Sequence, residues 1–180
     1  HGITVDPSGD YWYVTLAHGN PFGKLIKYST ENNSVIDETT LGLFPASMEV
    51  SKVTGFIYCV NFNLHGDMKP SSVSVIDAET MTEITKIKTG SMPHGSRISK
   101  DGLKQYSVAM MSGELFEIDA LSLNVTRILN LENRSGKNHA KMKMGEQKMN
   151  HSVVKPTWVI PHPTKSLVYI AGNGSNEIIE

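Results

Sequence analysis

VDPSGDYWYVTLAHG (residues 5–19), VSKVTGFIYCVNFNLHG (50–66), ISKDGLKQYSVAMMSG (98–113) and PHPTKSLVYIAGNGS (161–175) align on one tyrosine each. These are Tyr13, Tyr58, Tyr106 and Tyr169, at spacings of 45, 48 and 63 residues. A second set follows in the same order: KLIKYSTENN (24–33), SVSVIDAETM (72–81), ELFEIDALSL (114–123) and NEIIE (176–180). Two registers that agree define an internal repeat, and the repeat decides the fold before any single motif is read.

Each unit reads as strand, turn, strand, loop, strand, turn, strand. Gly, Asp, Ser and Asn mark the turns in PSGD, SKDG and TENNS, while the strands are short and rich in Val, Ile, Tyr and Thr. No long segment carries the 3.6-residue period of an amphipathic helix. Four antiparallel strands in a unit of about 40–50 residues are the pattern of a propeller blade, which buries its faces on its neighbours. A sandwich would not repeat one strand order four times around one tyrosine. The expectation is an all-β chain, a β-propeller of four-stranded antiparallel blades at about 1–43, 44–90, 91–131 and 156–180. The last is incomplete, residues 132–155 are an inserted loop, and the whole is part of a larger propeller.

KIKTGSMPHGSRISKDGLKQYSV (86–108), with SVSVIDAETMTEI (72–84) before it and ELFEIDALSLNV (114–125) after, resembles the YVTN-type β-propeller repeat. That repeat joins a V-I-D strand, a TG-x-x-P turn and an S-x-D-G turn, and residues 13–15 are Tyr-Val-Thr themselves. The resemblance covers nearly all of the chain outside 132–155. It implies a secreted or surface-layer propeller of bacterial or archaeal type, hence an extracytoplasmic location. More distantly the chain resembles the haem-binding propeller of dissimilatory nitrite reductase and the copper propeller of nitrous oxide reductase.

Composition excludes several classes. The 180 residues are 39% hydrophobic with a formal net charge of −1, which indicates neither disorder nor a polyanion-binding surface, so no nucleic-acid partner is expected. No apolar run approaches the roughly 20 residues of a membrane helix. The single cysteine, Cys59, lies among apolar residues and reads as a packed hydrophobe. Ser96 and Ser99 have no GxSxG context, and no phosphate-cradling glycine loop is present. Asp37, Asp77 and Asp119 read as turn-shaping residues. Asn32, Asn124, Asn133, Asn150 and Asn173 each open an N-x-S/T tripeptide, relevant only in a glycosylating pathway.

The repeat also turns positions into faces. The loops after the second strand and the connections between blades emerge together, so His1, His18, His65, His94, His139 and His151 are expected on one face and His162 on the other. HGDM (65–68) adds Met68, and MKMGEQKMNH (142–151) offers Met142, Met144, Met149 and His151 within ten residues. Imidazole suits copper, zinc or iron, and thioether selects Cu(I). The metal-ligand candidates are therefore His18, His65, Met68, His94, His139, Met142, Met144, Met149 and His151, with His94 also the candidate haem ligand. Against this, His1 and His94 could serve the backbone at a strand entry, and Met110 and Met111 could be packing residues. The expected function is a binding module that presents this face to a protein, glycan, cell-surface component or metal. The alternative is a redox enzyme holding copper or, second to it, haem.

Overall fold

Four hydrogen bonds set the frame of the computed structural model, which describes residues 1–19, 21–132 and 151–180. The amides of Asp6, Ser51, Ser99 and His162 donate to the carbonyls of Tyr11, Phe56, Lys104 and Leu167 at 2.8–2.9 Å, closing the same turn four times. Tyr13, Tyr58, Tyr106 and Tyr169 each lie two residues beyond those carbonyls and are structurally equivalent.

Around these turns the chain forms four antiparallel sheets, each in sequence order. The first contains β1 (Ile3–Val5), β2 (Tyr11–Leu16), β3 (Lys24–Ser29) and β4 (Val35–Thr40). The second contains β5 (Pro45–Val50), β6 (Phe56–Asn61), β7 (Pro70–Asp77) and β8 (Glu83–Ser91). β9 (Pro93–Ile98), β10 (Lys104–Ala109), β11 (Glu114–Asp119) and β12 (Val125–Asn130) make the third. The fourth has three strands, β13 (Pro156–Pro161), β14 (Val168–Gly172) and β15 (Glu177–Ile179). These are blades of a β-propeller. The innermost strands pack in succession, β1 on β5, β5 on β9 and β9 on β13.

Turn chemistry follows from side chains that bond their own backbone. Asp77 Oδ1 accepts from the amides of Glu79 and Thr80, and Asp119 Oδ1 from those of Leu121 and Ser122. Those amide bonds hold both carboxyls below the usual carboxylate range. At a different turn, the one between β13 and β14, His162 caps in the same way, its Nδ1 accepting from the amides of Thr164 and Lys165 at 3.0 Å.

Burial depends on how many neighbours a blade has. β6 sits between two blades and is buried at five of its six residues, so FIYCVN reads as a nearly continuous apolar run. The outermost β4 is almost wholly exposed. Three apolar cores lie between successive blades. Tyr13, Leu25 and Leu41 meet Met48, Ile57, Cys59 and Ile76; Tyr58, Val60, Val73 and Val75 meet Met92, Ile118 and Ala120; Val108, Leu115 and Leu131 meet Val159, Ile170 and Ile179. Burial pushes the Cys59 thiol up to about 12, which leaves it an unreactive packing group. The two end faces are open. Ile3 is 69% exposed where its equivalent Met48 is 2%, and Ile160 and Ile178 are exposed on the far side of the fourth blade.

Candidate functional site at the channel mouth

The inner strands enter the propeller by a repeated device. Phe44, Met92 and Lys155 each precede a proline and adopt φ of 53°, 53° and 46°. Their carbonyls accept the amides of Phe62, Met110 and Asn173. Left-handed backbone before proline is disfavoured, and three equivalent bonds hold it in place. Directly after it the β5–β6, β9–β10 and β13–β14 registers slip by one residue. In the third blade the extra residue is His94, and in the fourth it is Thr157. A bulge re-aims the side chain it carries, and here it turns the imidazole toward the channel mouth.

Two loops bring in further rings. Gly19 packs so tightly that a Cβ there would lie 1.5 Å from the Phe22 carbonyl oxygen, and this fixes the turn that presents His18. The loop after β6 has left-handed backbone at Asn63, Asp67 and Met68 and is closed by Gly66 N–H to the Asn63 carbonyl, which presents His65. The rings then meet around two phenylalanines. His18 stands edge-on to Phe44 at 4.8 Å, His1 at 5.5 Å and His65 at 5.9 Å. Phe62 lies 5.8 Å from Phe44 and 5.1 Å from His94, and His94 meets Trp158 perpendicularly at 4.9 Å. Arg97 lies 5.4 Å from the centre of the Trp158 ring.

His94 is fixed in one tautomer. Its Nδ1 lies 3.1 Å from the Thr157 carbonyl oxygen, which can only accept, so Nδ1 carries the proton and Nε2 is left with its lone pair. Burial lowers its pKa from the ordinary 6.5, with the Thr157 bond opposing, so the ring is neutral at pH 7. Ser47 Oγ also donates to the His94 carbonyl, tying β9 to β5. His94 thus serves the backbone at a strand entry and keeps a free nitrogen as well.

The structure brings together His1, His18, His65 and His94. His151 is exposed and joins none of these ring contacts. Met68, Met110 and Met111 are half-buried against the apolar core of the second and third blades. His139, Met142, Met144 and Met149 lie outside the described residues. Among the described residues no three of His, Cys, Asp or Glu converge as a metal site, and the histidines meet in pairs. Among the described residues the donor set is short of the many imidazoles a multinuclear copper centre needs, and His94 Nε2 is a nitrogen that a backbone contact orients.

Sequence reasoning missed Phe44, Phe62 and Trp158. Their signal was the alignment of Phe44-Pro45 with Met92-Pro93 and Lys155-Pro156, and a Trp in a column that otherwise reads Gly2, Ser47, Gly95. It also missed Glu132, whose Oε1 accepts from Ser152 Oγ and from Val154 N–H and so staples the two ends of the insertion. A larger cleft, about 780 Å³, lies on the opposite side between Tyr106, Leu115, Leu129, Arg127 and the His162 turn. It borders the three-stranded fourth sheet, on the flank where the other blades carry a fourth strand.

No family model matches the chain, and no curated protein matches it. Among solved structures, hydrazine synthase from Kuenenia stuttgartiensis superposes with a TM-score of 0.75 at 15% identity, over 98% of this chain and 51% of that one. A functionally unknown protein from Desulfotomaculum acetoxidans gives 0.67 at 13% identity, over 94% and 47%. The WD40 repeats of RRP9 give 0.60 at 11% identity, over 73% and 38%. These likenesses show the propeller fold. The chain spans about half the length of the first two. Among the described residues no helix is long and apolar enough to cross a membrane.

Proposed function

We propose that the chain is part of an extracytoplasmic propeller of the YVTN-repeat type, a binding module that recognises a protein, glycan or metal ligand at the channel mouth. The observation that carries this is the gathering of four histidines and three aromatic rings on one loop face of a rigid scaffold. Residues there are either needed for packing or available for recognition, and His18, His65 and Trp158 are exposed. Further blades cover the open end faces, because Ile3 is exposed at a position that is buried in each blade with a preceding neighbour, at Met48, Ser96 and Val159. Binding of the full-length protein to arrays of glycans and of purified surface proteins tests the reading. A ligand held by the wild type and lost by both Trp158→Ala and Leu64→Ala, the latter at the exposed leucine directly before His65, supports it. If every ligand found binds both variants equally, the recognition surface is elsewhere and the reading fails.

A second reading, a copper- or haem-dependent redox enzyme, is favoured by one observation, the oriented and neutral His94 with its free Nε2. Optical spectroscopy with elemental analysis of the full-length protein separates the two. A haem band or stoichiometric copper supports the redox reading, and a spectrum with neither removes it.

A further inference from the structure

We propose that His18 and His65 together form a two-imidazole site for a divalent ion of the zinc, nickel or copper class, a proposal that rests on the reading of the mouth as the ligand-binding face. An imidazole nitrogen binds such an ion at about 2.0–2.1 Å, so two rings sharing one ion have centres roughly 5–6 Å apart. The His18 and His65 centres are 5.8 Å apart with the rings tilted by 44°. His1 and His94 are 6.1 Å apart, just beyond that range, so that pair is the poorer clamp.

The surroundings fit the same occupant. A cleft of about 220 Å³ opens between the two rings, walled by Pro21, Leu43, Phe44 and Leu64. Phe44 contacts both imidazoles edge-on and limits their rotation toward the core. Both rings are exposed, and within the described residues neither is engaged by a hydrogen bond, so turning a nitrogen onto an ion breaks nothing. Among the described residues no carboxylate lines the cleft, which disfavours Ca²⁺ and Mg²⁺, both of which seek oxygen. Two protein ligands leave the remaining tetrahedral positions to water or to a donor atom of the molecule recognised at the mouth. The ion then acts as a bridge between module and ligand.

Co²⁺ titration of the full-length protein, followed by visible absorption and by Zn²⁺ competition, tests this. Cobalt and zinc are chosen because thioethers are poor ligands for them, which keeps Met142, Met144 and Met149 out of the measurement. His18→Ala and His65→Ala should each weaken binding by at least about tenfold, the loss that even an outer-shell partner's removal brings. His162→Asn, on the opposite face and able to keep its turn through the Asn oxygen, should bind as the wild type does. In the wild type, Zn²⁺ should shift the ring-proton resonances of His18 and His65, and this readout does not depend on any variant folding. Wild-type affinity in either alanine variant, or Zn²⁺ that shifts neither resonance, overturns the site. If the ion fails while array ligands still depend on Trp158 and Leu64, the inference falls and the recognition reading stands. If the ion binds as stated while those ligands ignore both residues, the reverse holds.

Discussion

Replacing Tyr58 and Tyr13 by phenylalanine should give opposite results, although the two tyrosines hold the same place in adjacent blades. Both are fully buried. The Tyr58 hydroxyl donates to the Ala120 carbonyl of the next blade at 3.0 Å. The equivalent acceptor facing Tyr13 is the Ala78 carbonyl, and it is already taken by Lys27 Nζ at 2.7 Å. Among the described residues the Tyr13 hydroxyl has no hydrogen-bond partner. A buried neutral hydrogen bond contributes about 1 kcal/mol net, and orphaning its acceptor costs more, so Tyr58→Phe should lose about 1–2 kcal/mol. For a chain of this size that is roughly 2–4 °C of Tm per kcal/mol. Tyr13→Phe removes an unsatisfied hydroxyl and should be neutral or stabilising by up to about 1 kcal/mol. Urea unfolding of the two variants measures the difference directly. Lys27→Met supplies an internal control, because it frees the Ala78 carbonyl and should make a subsequent Tyr13→Phe change costly, a coupling of about 0.5 kcal/mol or more. Equal destabilisation by Tyr58→Phe and Tyr13→Phe would refute the reasoning.

Gly95→Ala should destabilise by about 1–3 kcal/mol in chemical denaturation, since its Cβ would meet the Thr157 oxygen at 3.0 Å and force β9 and β13 apart. Gly55→Ala, at φ +70° with open space around it, should cost only the backbone strain of about 1–2 kcal/mol. Because burial lowers the His94 pKa below 6.5, the unfolded chain binds the proton first as pH falls. Stability should therefore drop below about pH 6.5 and stop dropping on this account once the folded state also protonates. His94→Gln should flatten that limb in stability measured from pH 7.5 to 5, and an unchanged slope would show that another group governs it. Glu132→Ala should raise amide exchange at Val154 by about tenfold or more, as a charge-assisted bond is lost, while Glu132→Gln keeps an acceptor and should change it less.

The blades were legible because their determinants are local. Tyr169 is the second residue of β14 whereas Tyr13 is the third of β2, yet the bonded turn before each puts them in one register. Asp77 and Asp119 could be read as turn residues because an aspartate bonds amides two and three positions on, within the same few letters of sequence. The mouth was legible only as a face. That His18 and His65 would share Phe44 depends on a left-handed residue before Pro45 and on loop closures at Gly19 and Gly66, none of which has a period. His162 was placed correctly away from the mouth, but its part as a turn cap is one that Asx or Ser side chains fill in the other blades and that imidazole rarely advertises.

Trp158 shows most directly how a repeat hides a site. In its column a Cβ at Gly2 would lie 2.2 Å from the Ala46 oxygen, Ser47 Oγ bonds the His94 carbonyl, and Gly95 abuts Thr157. Each of these small residues lets one inner strand approach the next, so the column is small for a backbone reason. An indole there cannot be accommodated by the same approach. It lies instead against His94 and near Arg97, with 41% of its surface exposed. The indole thus stands at the mouth beside the histidine whose free nitrogen a backbone carbonyl has oriented, on the one inner strand whose column the backbone did not keep small.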